Sequence, residues 1–132
     1  KLVDGDYDGS ITNARTLVEA VLLEAERRLT SEQPSYDGDL QRLYKRVQRL
    51  LNLGPDREDL AEPLRLVLRG LVSIIAGLAP LRNKMSDAHP AQHRPERHHA
   101  DLAVNAAKTL AGFVLSSFEY QVRVGRLRPP GT

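Results

Sequence analysis

The sequence predicts an all-α domain that folds as an antiparallel bundle of four principal helices. Three observations support this fold class: apolar residues recur at i, i+3/i+4 spacing in four segments, no segment keeps an alternation of period two, and stretches containing proline or glycine separate the segments. With 132 residues and 14.7 kDa, the chain has the size of one domain. Such a chain buries about two-thirds of its extended surface on folding, so one hydrophobic core is expected.

The first two helices are expected over residues 10–29 and 39–51. The first carries one apolar stripe from Ile11 to Leu29. Ser10 or Thr12 is its expected N-cap, because a hydroxyl can accept from the unpaired amides of the first turn. The second helix has leucine and valine on one face and a basic flank beside it, and Gly54-Pro55 follows as a strong stop signal.

The third and fourth helices are expected over residues 59–81 and 97–122. The third is apolar around much of its circumference, which predicts a central position. Pro80 lacks an N–H and its ring clashes with the carbonyl four residues earlier, so we expect a kink or an end just before Arg82. The fourth begins with a stripe of small residues that allows close contact, within the bundle or across a two-fold interface: Ala100, Ala103, Ala106 and Ala107.

The chain divides into an acidic leader (residues 1–9), one helical domain (10–122) and a flexible basic tail (123–132). The leader opens like a calcium loop of the D-x-D-x-D-G type at Asp4, but position twelve is Arg15 where calcium requires a glutamate. A solvated turn is the better interpretation. Because the chain starts at Lys1 and not at methionine, we expect an upstream domain to be missing from it.

Composition narrows the function classes. The chain has no cysteine, which excludes disulfides, thiolate catalysis and cysteine-type zinc sites and fits a cytoplasmic location. No uninterrupted apolar run reaches the 18 or so residues of a membrane-spanning helix, so no membrane partner is expected. The net charge of +2 is compatible with nucleic acid without being diagnostic of it.

All four histidines fall within residues 89–99, and this clustering marks the candidate site. They are His89, His93, His98 and His99. One interpretation is a polar, solvated loop that collects titratable groups. A zinc site that uses histidines and Asp87 is a second, but His98 and His99 are adjacent and should diverge by about 100° on a helix. A third is chemistry on RNA, for which we expect neither a metal nor another cofactor.

The segment from Arg82 to His89 reads R-N-K-M-S-D-A-H and resembles the R-x(4–6)-H signature of the HEPN superfamily of helical RNA-cleaving domains. A closer resemblance extends over about residues 8–120. Its segments, in order, are A-R-T-L-V-E-A-V at 14–21, L-Y-K at 43–45, G-L-V-S-I-I-A-G-L at 70–78, L-R-N-K at 81–84, D-A-H at 87–89 and H-A-D-L-A-V-N-A-A at 99–107. This order is similar to that of the abortive infection C-terminal family of bacterial phage-defence proteins.

The resemblance implies a homodimer whose two copies of the motif form a composite ribonuclease site, with Arg82, Asn83 and His89 as catalytic residues. Histidine can transfer the proton of the 2′-OH near neutral pH, and arginine can stabilise charge on the phosphorane. The expected RNA-contacting residues are Lys84, Arg94, Arg97, His98, His99 and Asn105. The alternative is a non-catalytic domain that dimerises, senses or binds RNA for an upstream partner domain.

Overall fold

The computed structural model describes residues 7–82 and 95–131, and for Arg82 the backbone alone. Its elements are α1 (Tyr7–Thr30), α2 (Leu40–Leu51), α3 (Glu62–Leu78), a 3₁₀-helix (Ala79–Arg82) and α4 (Arg97–Arg123). The described ranges contain no β-strand, and the predicted all-α class with four principal helices is confirmed.

The core is centred on α1 and α4, which form the most extensive helix pair of the fold. Val18 and Leu22 from α1 and Leu110 and Val114 from α4 are fully buried in it. One face of α2 closes the core with Leu43, Val47 and other apolar residues that are likewise fully buried. Burial of each such side chain stabilises the fold by about 1.5–3 kcal/mol, so this three-helix contact is the main source of stability.

Helix α1 begins before the predicted N-caps. Ser10 and Thr12 lie inside the helix, and the Thr12 hydroxyl donates to the carbonyl of Asp8 at 2.9 Å. The N-cap prediction is therefore wrong, because a threonine within a helix bonds back to the carbonyl four residues earlier. Helix α2 has a conventional cap: the Asp39 side chain accepts from the backbone N–H of Arg42 at 3.0 Å.

The polypeptide changes helix type where proline interrupts it. Helix α3 ends at Leu78, and the chain continues as a 3₁₀-helix through Arg82. Pro80 explains the change, because its missing N–H and its ring prevent a further α-helical turn. The interruption thus begins at Ala79, three residues before the break predicted at Arg82.

Helix α3 lies at the edge of the bundle, and its predicted central position is wrong. Leu68, Leu71, Ile75 and Leu78 form its single buried strip. Much of the rest of its apolar surface has no cover among the described residues, with Leu66 57% and Val67 64% exposed. An apolar circumference therefore marks here a helix with an uncovered face, not a core helix.

The same helix bears on the expectation of no membrane partner. By length and composition alone, the stretch Glu62–Leu81 could cross a membrane, with a mean hydropathy of 1.8, and only 22% of it is buried in the domain. It is the one such helix among the described residues. The core helix of a soluble protein can be as long and as apolar as this one, but it is mostly buried. The stretch Glu62–Leu81 is mostly exposed.

The first residues after α4 fold back on the bundle, and the flexibility of the tail from residue 123 stays a prediction. The N–H groups of Arg126 and Leu127 both donate to the carbonyl of Gln121, at 2.8 and 3.1 Å, and Gly125 adopts a φ of 83° that favours glycine. Leu127 packs against the core. The first part of the tail therefore closes the end of the domain.

An ion pair between Glu26 and Arg46 links α1 to α2. The two groups form a bidentate pair, with Nε–Oε2 and Nη2–Oε1 distances of 2.6 and 2.9 Å, and Arg46 also donates to the carbonyl of Ser35. Glu26 is buried, and it is one of two charged residues in that class among the described residues. Loss of its charge would leave the guanidinium without its partner.

Replacement of Glu26 by Gln should lower the free energy of unfolding by about 2–3 kcal/mol, because removal of one partner strands the other beside the core. Urea denaturation of the two proteins would measure this. Glu24→Gln is the matched control: Glu24 also bonds two arginines, Arg27 and Arg28, but all three side chains lie on the exposed surface of α1. Equal losses in the two variants would contradict the role of burial.

Candidate functional site

The predicted site straddles a part of the chain that lies outside the described residues. Asn83, Lys84, His89 and Arg94 fall there, and so does the side chain of Arg82. Their roles stay predictions. The structure describes what stands on either side of them: the 3₁₀-helix that ends at Arg82 and the helix that begins at Arg97.

A groove of about 370 Å³ between α3 and α4 brings these two sides together. Leu81, the residue before Arg82, and His99, in the first turn of α4, both line it. Its other lining residues are small or apolar: Ser73, Ile74, Gly77, Leu78, Leu102, Ala103 and Ala106. The two segments that carry the predicted site residues are thus neighbours in the fold.

His99 is held by the start of its own helix. The backbone N–H of Glu96 donates to Nδ1 of His99 at 2.9 Å. An imidazole nitrogen that accepts a hydrogen bond is unprotonated, so this contact assigns the proton of the neutral ring to Nε2. His99 can therefore offer an N–H to an acceptor while its ring orientation is fixed by the helix terminus.

His98 lies against His99, although their positions diverge on the helix. The two ring centroids are 4.1 Å apart, with the planes tilted by 42°. Nδ1 of His98 is 3.8 Å from a carboxylate oxygen of Glu96. The side-chain torsions thus bring the rings together, where helical spacing alone predicted about 100° of divergence.

Glu96, His98 and His99 are the described residues that come closest to a metal site. One ligand atom from each lies within 4.8 Å of the others, and all three side chains are exposed. The hydrogen bond from Glu96 occupies Nδ1 of His99 and leaves the proton on Nε2, so neither nitrogen of that ring offers a lone pair while the bond is present. This geometry fits the end of a helix better than a zinc site.

The remaining predicted RNA contacts lie along α4. Arg97 and Asn105 are both exposed. His99, Ala103 and Ala106 line the groove, whereas Asn105 is absent from its lining. The alanine stripe was predicted to make close contact within the bundle or across a two-fold interface. Ala100 and Ala107 are fully buried in the bundle, whereas Ala103 and Ala106 face the groove.

A buried arginine, for which the sequence predicted no role, contacts the 3₁₀-helix that leads to the predicted site. Arg15 on α1 is 4% exposed. Its Nε donates to the carbonyl of Ala79 at 3.1 Å, one Nη donates to the carbonyl of Gly38 at 2.9 Å, and the other lies 2.6 Å from a carboxylate oxygen of Glu19. Arg15 therefore joins α1 to the 3₁₀-helix and to the loop before α2.

The sequence did contain a signal for this arginine. Arg15 stands four residues after Ile11 and three before Val18, so it occupies the buried stripe of α1. A charged residue on an apolar stripe needs buried partners. Two of the three partners are backbone carbonyls, which no sequence pattern identifies.

Tyr36 and Glu19 complete the cluster. The Tyr36 hydroxyl donates to the same carboxylate oxygen of Glu19 that faces Arg15. Burial, and then the hydrogen bond to Glu19, raise the pKa of Tyr36 to about 12, which keeps the phenol protonated as a donor at neutral pH. The side chains of Tyr36, Glu19 and Arg15 and the carbonyl of Ala79 thus form a continuous chain of contacts from the α1–α2 loop to the 3₁₀-helix.

Comparison with known proteins assigns the chain to a family. The family model Abi_C, described as a HEPN-like domain, matches residues 1–118 of the 132. No curated protein and no solved structure gives a significant match. The matched range includes all four helices up to Phe118 and both segments that border the groove. The chain therefore belongs to the abortive infection C-terminal family of HEPN-like domains.

Proposed function

We propose that this domain is a metal-independent endoribonuclease that acts in abortive infection, the bacterial response that halts growth of phage-infected cells. Membership of the HEPN-like family supports the proposal. The observation that carries it is the shared groove: Leu81, which precedes Arg82, and His99 line the same cavity. The R-N-x5-H segment and the second histidine segment then act on one substrate.

The proposed reaction uses the 2′-OH of RNA as an internal nucleophile. His89 takes the proton of the 2′-OH, the oxygen attacks phosphorus, and the bond from phosphorus to the 5′ oxygen breaks as that oxygen is protonated. Arg82 stabilises the charge on the phosphorane with fixed donors, and Asn83 holds a phosphate oxygen. The products are a 2′,3′-cyclic phosphate and a free 5′-OH.

His99 suits substrate binding more than proton transfer. Its Nδ1 is occupied by the N–H of Glu96, and its Nε2–H is a donor of fixed orientation at the groove. His98 and Arg97, both exposed beside it, add further donors for a phosphate backbone. We assign proton transfer to His89 and RNA contact to these three residues at the start of α4.

The sequence of the site region favours chemistry without a metal. Asp87 and Glu96 are the only carboxylates among residues 82–99. Two-metal cleavage of phosphodiesters depends on a cluster of such ligands around paired ions. A histidine and an arginine can perform the cleavage without them.

The uncovered face of α3 supports the proposed homodimer. Gly70 and Gly77 are seven residues apart, so they lie on one side of the helix, and a methyl group added at either would meet nothing within 4 Å. Glycine within a helix costs about 1 kcal/mol relative to alanine. Nothing in the described part of the chain offsets that cost, whereas close approach of a second helix would.

The dimer would also complete the site. Gly77 lines the same groove as Leu81 and His99, so a second copy seated on the face around Gly70 and Gly77 would bring its own motif to this groove. One histidine cannot easily serve as both the base and the acid of one turnover. A pair of motifs across a two-fold axis supplies both groups.

The exposed apolar surface also favours a second candidate function. Leu66 and Val67 are both more than half exposed at the start of α3, far from the 3₁₀-helix that ends at Arg82. A surface of this kind marks a protein interface. A non-catalytic interaction domain would use this face alone and would not need His89.

We expect the purified chain to cleave total cellular RNA and mixed-sequence single-stranded oligoribonucleotides in the presence of EDTA, leaving 2′,3′-cyclic phosphate ends. His89→Ala should lower the rate by at least about 10²–10⁴-fold, because in the dimer it removes both the base and the acid. Arg82→Ala should lower it by about 10²–10⁴-fold, because the charge on the phosphorane loses its stabilising donors. Gel assays and end-group mass spectrometry measure both results. His93→Ala is the control from the same histidine cluster and should retain activity.

Two outcomes would oppose this proposal. Wild-type rates in His89→Ala would remove that residue from the reaction. Activity that EDTA abolishes and zinc restores would transfer the chemistry to a metal site built from the histidine cluster.

Light scattering should give the wild-type chain twice its monomer mass of 14.7 kDa. Gly70→Leu should convert it to a monomer, because the new side chain fills the space that the second copy needs, while its Cβ meets nothing within 4 Å among the described residues. The monomer should keep its thermal stability, since leucine favours a helix more than glycine does.

Ala76→Leu is the matched control on the same helix, since Ala76 is exposed and stands about 120° from the line of Gly70. It should leave the dimer intact. A wild-type monomer throughout the micromolar range would contradict the dimer, and a monomer that floats with lipid vesicles would assign the face to a membrane.

A further inference from the structure

We infer that Arg15 is a positioning residue for Arg82, the first residue of the predicted catalytic motif, whose backbone it holds through the 3₁₀-helix. This inference rests on the proposed function for its consequence in RNA cleavage. Its structural part rests only on described contacts. Arg15 is not among the residues that line the groove; it acts on the carbonyl of Ala79.

The contact with Ala79 lies at the right place to set Arg82. A 3₁₀-helix has three residues per turn, so Ala79 and Arg82 stand one above the other, one turn apart. Ala79 is also the C-cap of α3, where backbone carbonyls lack helical partners and a nearby cation is favoured. The guanidinium supplies a donor and a positive charge at that point.

The guanidinium itself is held from the other side. Glu19, one turn along α1, pairs with one Nη, and Tyr36 donates to Glu19. Gly38 presents its carbonyl to the other Nη from a backbone with a φ of 93°, a conformation that favours glycine. The direction of the Nε–H toward Ala79 is therefore fixed by contacts from two elements, α1 and the loop before α2.

Stability alone is a weak reason for this cluster. Replacement of a buried ion pair by apolar side chains of similar volume is often neutral or stabilising. The planar guanidinium makes three differently directed contacts that an apolar side chain or a lysine cannot reproduce. The geometry thus points to orientation of the 3₁₀-helix as the property that requires arginine.

The test combines hydrogen exchange with cleavage kinetics on the full chain. In Arg15→Met, the amides of Leu81 and Arg82 should exchange at least about tenfold faster, because the turn loses its external donor. The kcat for a mixed-sequence single-stranded RNA should fall by about 10–100-fold while KM stays within about twofold, since misplacement of a catalytic group affects the transition state more than binding. Arg15→Lys should rescue neither property.

Two further variants separate positioning from loss of stability. Glu26→Gln breaks the other buried ion pair of α1 without contact to the 3₁₀-helix, so it should leave exchange at Leu81 and Arg82 and the kcat unchanged at a temperature where all variants are folded. Tyr36→Phe removes only the donor to Glu19 and should give a smaller change in the same direction as Arg15→Met.

The two proposals fail separately. Unchanged exchange at Leu81 and Arg82 in folded Arg15→Met would overturn the positioning role, whatever the activity. The same effect on both properties in Glu26→Gln would also overturn it, because the cause would be general destabilisation. Faster exchange confined to Arg15→Met and Tyr36→Phe, in a chain that never cleaves RNA, would support the positioning role and reject the ribonuclease.

Discussion

Three parts of this fold are arranged around the buried guanidinium of Arg15. Removal of a charge from water costs several kcal/mol even after relaxation, and the cost is met only when the donors find acceptors of good geometry. Arg15 finds them in Glu19, Gly38 and Ala79, which belong to α1, to the loop before α2 and to the 3₁₀-helix. A shift of any one of these elements would leave a buried donor unpaired, so the cluster fixes their relative positions.

The same constraint separates a rigid part of the domain from an open one. α1, α2 and α4 share a fully buried core, and the ion pair of Glu26 with Arg46 adds a polar link between the first two. Helix α3 contributes one strip to that core and leaves its outer face uncovered. The C-terminal end of α3 is nevertheless fixed, because Arg15 donates a hydrogen bond to the 3₁₀-helix that follows it. The domain thus offers an apolar surface while it keeps the segment before Arg82 in register.

Periodicity was enough to predict the fold class and the approximate ranges of the helices, since each apolar stripe needs a partner and four stripes form a bundle. Periodicity did not predict that α3 lies at the edge of the bundle with an exposed apolar face. An apolar circumference on α3 has the same pattern whether its cover is the core or a second molecule. The place of Thr12 inside α1, where its hydroxyl donates to Asp8, leaves no periodic trace in the sequence. Neither do the two hydrogen bonds from Arg126 and Leu127 to Gln121.

For the candidate site, the sequence supplied the residue types and the structure supplied their neighbourhood. The groove between α3 and α4 is mostly apolar, which is poorly suited to a phosphate backbone but well suited to close helix contact. The donors stand at its end, where His99 is oriented by Glu96 and where Leu81 leads into Arg82. The groove and its polar end therefore need not bind the same partner. An apolar floor that receives a second copy, beside a polar end that receives RNA, would make the assembly of the dimer and the completion of the site one event.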